Sequence, residues 1–194
     1  SLDKTLSALT ASPDGRLVAV GTSERALIVY DAELAEQRRL EVNGRVVGLV
    51  IANDGSLIVG HAVGQFTGRV WLSSFDATGA ARAREQIGVD ILSLSRLGDG
   101  AAVATVDGRV AAVGLDGASR WALQLPQPAV LLREASDEAL FAGDERGSVS
   151  RIDADGALAW TQALSAYRIR TLALDTRSHT LIVADDDRQL FVLN

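Results

Sequence analysis

Short apolar runs recur along the chain, and each is reached through a polar turn. "SPDGRLVAVG" at 12–21 returns as "NDGSLIVG" at 53–60. Taking Asp14, Asp54, Asp99, Asp137 and Ser178 as anchors of the turn, the intervals are 40, 45, 38 and 41 residues. The runs behind them read "LVAVG", "LIVGH", "AVATV", "LFAGD" and "LIVAD". Aligned on the anchors, one column holds Leu17, Leu57, Ala102, Leu140 and Leu181, and the next Val18, Ile58, Val103, Phe141 and Ile182. A third is confined to Ala or Val: Ala19, Val59, Ala104, Ala142 and Val183. Ahead of each anchor lies another run, begun by Leu6, Val46, Ile91, Ala129 and Ile169 and centred on Leu9, Leu49, Leu94, Leu132 and Leu172. The fifth unit matches only if its turn is one residue longer.

Behind the second run a hairpin turn, such as "VDG" at 106–108 or "ERG" at 145–147, leads to a third: "ALIVY", "RVWL", "RVAAV", "SVSRI" and "QLFVL". Four of the five units add a fourth segment. Runs of this length between turn signals predict strands. Residues 32–40, "AELAEQRRL", hold good helix formers, but the third and fourth units lack that bias at the same place, so strand is expected there too. Four strands per unit of about 40 residues is the period of a propeller blade. The expected fold is an all-β β-propeller of about five blades of four antiparallel strands, the last blade lacking its outer strand. Its blades fall at about 5–43, 44–88, 89–128, 129–167 and 168–194, forming a single domain. One small sheet is marginal alone, and radial stacking buries its faces. The Ala/Val column marks where sheets approach closely.

"LTASPDGRLVAVGTSERALIVYDAE" resembles a WD-repeat blade, with "SPDG" between its first strands and "YD" where that family's dipeptide falls. The third and fourth units, "DGRVAAVGLDGASRW" and "RGSVSRIDADGALAW", resemble quinoprotein-type (PQQ-like) repeats. There Asp116 to Trp121 and Asp155 to Trp160 keep one spacing. No Gly-His precedes a first strand, no Trp-Asp dipeptide occurs, and the vicinal cysteines of the quinone enzymes are absent. The resemblance therefore implies the scaffold and not the catalysis.

Composition narrows the function. With 194 residues, 47% of them apolar, the chain can build a core without staples. The absence of cysteine removes disulfides, thiolate metal sites and a thiol nucleophile. A net charge of −6, with Lys4 and the arginines scattered, argues against nucleic acid as main partner. Apolar runs such as "VVGLVIA" are too short to cross a bilayer, and no signal peptide is visible, so a soluble protein of unknown compartment is expected. The lack of methionine suggests a processed protein or an excised domain.

No catalytic, cofactor or metal site is expected. His61 and His179 lie in different units and read as ordinary surface or loop histidines. "DDD" at 185–187 falls in a hairpin turn, and the Asp-Gly pairs lack any phosphate-cradling context. The matched Trp121 and Trp160 point to blade packing. The longest interval belongs to unit two, where "GHAVGQFTGRV" separates its second and third strands, and loops on a rigid scaffold are where binding is placed. His61, Gln65, Phe66, Trp71, Leu190 and Phe191 are the candidate partner-binding residues. The leading expectation is a non-enzymatic platform for protein partners. The alternatives are a ligand-binding or enzymatic propeller using its channel, and a subunit completing a larger ring with another chain. An unpaired edge at Leu190–Leu193 is a place for self-association or ring completion. Three closures stay open: a closed five-bladed ring, a partial ring completed by another chain or copy, and an excerpt of a longer protein.

Overall fold

The computed structural model describes residues 5–63, 69–135, 138–175, 178 and 180–193. Gln65, Phe66, the anchor Asp137 and His179 lie outside the described residues.

Each unit forms one antiparallel meander, its strands paired in chain order. Blade one is β1 (Leu6–Ala11), β2 (Leu17–Thr22), β3 (Ala26–Asp31) and β4 (Glu36–Glu41). Blade two is β5 (Arg45–Ile51), β6 (Leu57–Val63), β7 (Arg69–Phe75) and β8 (Ala81–Gly88). Blade three is β9 (Ile91–Leu97), β10 (Gly100–Thr105), β11 (Arg109–Gly114) and β12 (Ser119–Gln124). Blade four is β13 (Ala129–Glu134), β14 (Leu140–Asp144), β15 (Ser148–Ile152) and β16 (Leu158–Ala163). Blade five has three strands among the described residues, β17 (Ile169–Asp175), β18 (Thr180–Asp185) and β19 (Leu190–Leu193). The helix-prone stretch at 32–40 ends in β4, because the meander supplies β3 as a pairing partner.

The turns explain the aspartates. Asp31 Oδ1 accepts from the amides of Glu33 and Ala35, and Asp76 Oδ1 from those of Thr78 and Ala80. Asp144 does the same for Arg146 and Ser148, and Asp185 for Asp187 and Gln189. The Asp side chain closes the hairpin by satisfying amides that the turn leaves without a ladder partner. "DDD" at 185–187 is such a turn.

The Ala/Val column needs correction. The ladder pairs Leu9, Leu49, Leu94, Leu132 and Leu172 with Val20, Val59, Val103, Ala142 and Val183. Ala19 and Ala104 are thus one residue out of step with Val59, Ala142 and Val183, and they face the following blade. The turn between first and second strands varies by a residue among units, and a one-residue shift reverses a side chain's face.

Between successive blades lie apolar clusters. Leu27 and Val29 meet Leu49, Leu57 and Val59; Ile58 and Leu72 meet Ala101 and Val113. Ala102 and Ala112 meet Leu132, Leu140 and Ile152; Phe141 and Val149 meet Ile169, Leu172 and Val183. Four clusters join five blades in series. Among the described residues no such cluster joins blade five to blade one, and β17 does not pack on β1 as the other inner strands pack on their successors.

Candidate interaction surfaces

Both terminal blades expose apolar positions that the other blades bury or half-bury. On blade one, Leu9 is 68% exposed, whereas its equivalents Leu49, Leu132 and Leu172 are 6%, 8% and 9% exposed. Leu6 beside it is exposed too, while Val20 and Ile28 on the same face stay buried. The open part is therefore the inner strand. On blade five, Ala173, Ile182 and Val192 line up across three strands on the face turned away from blade four, and all three are exposed. The corresponding row in blade four centres on Phe141, which is buried against blade five.

The edge residues predicted to bind a partner divide. Leu190 is 71% exposed at the free side of β19. Phe191 is corrected: strand alternation turns it inward, where it packs in the cluster between blades four and five.

A second correction concerns His61. It lies inside β6, buried, on the face that carries Leu57 and Val59, and it is neither a surface nor a loop residue. Its Nε2 hydrogen-bonds Ser73 Oγ at 2.9 Å. Burial holds the imidazole below its ordinary pKa; the Asn43 backbone opposes this, and the nearby Arg84 charge adds to it. Trp71 stands opposite His61 in the ladder, and the Arg84 guanidinium lies 4.2 Å from the centre of its ring. Glu41, Asn43, His61, Ser73, Arg82 and Arg84 border a cleft of about 370 Å³ between blades one and two. On the same interface Arg38 donates to the carbonyls of Gly55, at 2.7 Å, and of Asp76 and Ala77. Among the described residues no three His, Asp or Glu side chains converge as a metal site would require, and no helix is long and apolar enough to cross a membrane.

A further feature escaped the sequence: the outer strands of blades one, two and three each receive a turn from the next blade. The turns Asp76–Gly79, Gly114–Gly117 and Asp153–Gly156 join third to fourth strands and end in glycines at φ of +92°, +82° and +87°. A methyl carbon on Gly79 would fall 2.7 Å from Leu40, and one on Gly117 2.2 Å from Ala83. On Gly156 it would fall 2.6 Å from Trp121 Cγ. The Trp121 indole Nε1 also donates to Ala154 O at 3.0 Å. The matched Asp-to-Trp spacing in units three and four was its only trace in the sequence, and it gave no hint of the partner blade.

No protein-family model matches the sequence, and no curated relative matches it. Similar solved structures do exist. BBS1N, crystallised in complex with ARL6DN, is 16% identical with a TM-score of 0.80, over 99% of this chain and 66% of that one. BamB from Moraxella catarrhalis is 19% identical with a TM-score of 0.73, over 100% and 60%. The β-propeller domain of Cps50 (Swd1) from Myceliophteria thermophila is 15% identical with a TM-score of 0.79, over 99% and 67%. The chain thus spans about two thirds of these chains or less. The likeness shows the fold, a β-propeller.

Proposed function

We propose that the protein is a non-enzymatic assembly module, an open β-propeller arc whose end faces are covered by protein. The observation that carries this reading is Leu9, exposed where its equivalents are buried, with the row Ala173, Ile182 and Val192 at the opposite end. Burying one leucine stabilises by about 1.5–3 kcal/mol, so two such faces have a strong drive to find cover. Five blades in 60–67% of the similar chains' lengths scale to a ring of about eight, inside the usual four-to-eight-blade range. The cover we propose is accordingly further propeller blades. That BBS1N was crystallised with ARL6DN fits a role for such folds in protein complexes. We take units three and four as quinoprotein-type repeats, on their shared Asp-to-Trp spacing.

Each end face complements the other, as one blade complements the next. The purified chain is therefore expected to associate head to tail as its concentration rises, and such heterologous contacts run on without closing. Sedimentation velocity tests this. Leu9→Lys, or Ile182→Lys with Val192→Lys, should leave the melting curve nearly unchanged and the chain monomeric. A wild-type chain that stays monomeric at its highest soluble concentration overturns the reading.

A further inference from the structure

The cleft of about 370 Å³ between blades one and two has two kinds of wall. Val42 and Phe75 line one apolar part, and Ser73, Arg82 and Arg84 a polar one. A space of this size suits a small organic molecule. Strand pairing builds the polar wall: Ser73 stands opposite Arg84 in the ladder between β7 and β8, next to the row that joins His61 to Trp71. The Arg84 guanidinium lies over the Trp71 ring. Stacking uses its flat face and leaves the N–H groups on its rim to donate, in the fork that matches a carboxylate. Arg82 lies two residues earlier on β8, and both arginines are exposed. Neither forms an ion pair or a hydrogen bond through its side chain among the described residues.

Beneath the arginines lies polarity that packing does not call for. His61 and Ser73 are buried and bonded to each other, and His61 Nδ1 has no well-formed hydrogen bond. An apolar residue at 61 would continue Leu57 and Val59 without stranding a buried nitrogen, which is costly. The cleft, and not the core, accounts for this polar floor. Charge then narrows the ligand. Burial keeps the imidazole neutral at pH 7, so Arg82 and Arg84 against Glu41 leave the lining with a small positive excess, in a chain of net charge −6. A monoanion balances that excess, whereas a phosphate dianion would overfill it beside the Glu41 carboxylate.

We propose that this cleft is a binding site for a small organic monocarboxylate with an apolar body, an aliphatic or aromatic acid. Its carboxylate takes the free rim of Arg84, with Arg82 beside it, and its body lies on Val42 and Phe75. The cleft lies between two blades and at neither open end, so its ligand is independent of what covers those ends.

Benzoate is the probe, with benzamide as its uncharged counterpart and inorganic phosphate as the competing anion. The isotope-labelled chain carries Leu9→Lys, so that association does not broaden its spectrum. Trp71, Trp121 and Trp160 give three indole N–H signals. Benzoate should move the Trp71 signal to saturation and leave the other two in place. Benzamide should move none, and phosphate should bind more weakly than benzoate. Arg84→Gln and Arg82→Gln should each weaken benzoate by about tenfold or more. Arg146→Gln, in the turn between β14 and β15, should leave it unchanged. These are dissociation constants of the folded chain, so a loss of stability in a variant does not enter them. A Trp71 signal that stays in place up to the solubility limit of benzoate overturns the proposal. So does benzamide or phosphate binding as tightly as benzoate, or an affinity that survives both glutamine variants or falls equally with Arg146→Gln.

Discussion

Gly156→Ala puts a number on the seat between blades. Two effects separate cleanly. The residue sits at φ +87°, where a non-glycine residue costs about 1–2 kcal/mol. Its methyl would also lie 2.6 Å from Trp121 Cγ and 2.7 Å from Cδ2, so the indole must move. Overpacking of this kind costs about 1–3 kcal/mol. Displacement of the indole removes the Nε1 hydrogen bond to Ala154 O, worth about 1 kcal/mol. Together Gly156→Ala is expected to destabilise by about 3–6 kcal/mol. Gly15→Ala is the control: φ is +72°, but no atom lies within 4 Å of the added carbon, so only the backbone term of about 1–2 kcal/mol applies. The assay is urea denaturation followed by circular dichroism. In thermal melts the difference of about 2–4 kcal/mol corresponds to roughly 5–15 °C for a chain of this size. If the two variants lose the same stability within about 0.5 kcal/mol, the contact between turn and tryptophan carries no energy and the argument fails.

His61 gives a pH dependence. Its folded pKa lies below the ordinary value of 6.5, so the unfolded chain takes up the proton first. The contribution is intact above pH 6.5 and declines as pH falls through the folded pKa; His61→Gln should flatten that part of a plot of urea midpoint against pH, and an unchanged slope would assign it elsewhere. Arg38→Met should cost about 1–3 kcal/mol by leaving part-buried carbonyls of Gly55 and Asp76 without their donor, read by chemical denaturation. Arg84→Ala is expected to cost about 0.5–2 kcal/mol through the lost contact with Trp71 and to shift the Trp fluorescence maximum; an unaltered spectrum and midpoint would count against that contact.

The blades were legible because burial repeats. A leucine at the centre of every inner strand and the Asx turns ahead of the second strands of blades one and two are local signals, and the structure keeps them. Registry between strands was not, since it depends on turn length. Ala19 and Ala104 fell into a column with Val59 by counting from the anchor, and the ladder moves them to the opposite face. The burial of His61 was within reach: it continues the alternation of Leu57 and Val59, and extending that count by two places it on the inner face. The glycine seats were out of reach, because a turn and its neighbour's outer strand lie 34 to 39 residues apart and no local pattern links them. Leu9 illustrates the same limit. It is the same residue type as its buried equivalents, and only the absence of a packed neighbour makes it different.

Blades that touch only the next in line make a one-dimensional stack, and such a stack has weak ends. Among the described residues blade three is held on two sides, and blade five, with three strands, on one. Stability then approximates a sum of unit and nearest-neighbour terms, and opening is expected to start at β17–β19 and travel inward. A partner that covers the last blade would therefore do more than add its own contacts: by closing the end where fraying begins, it would raise the protection of blades it never touches.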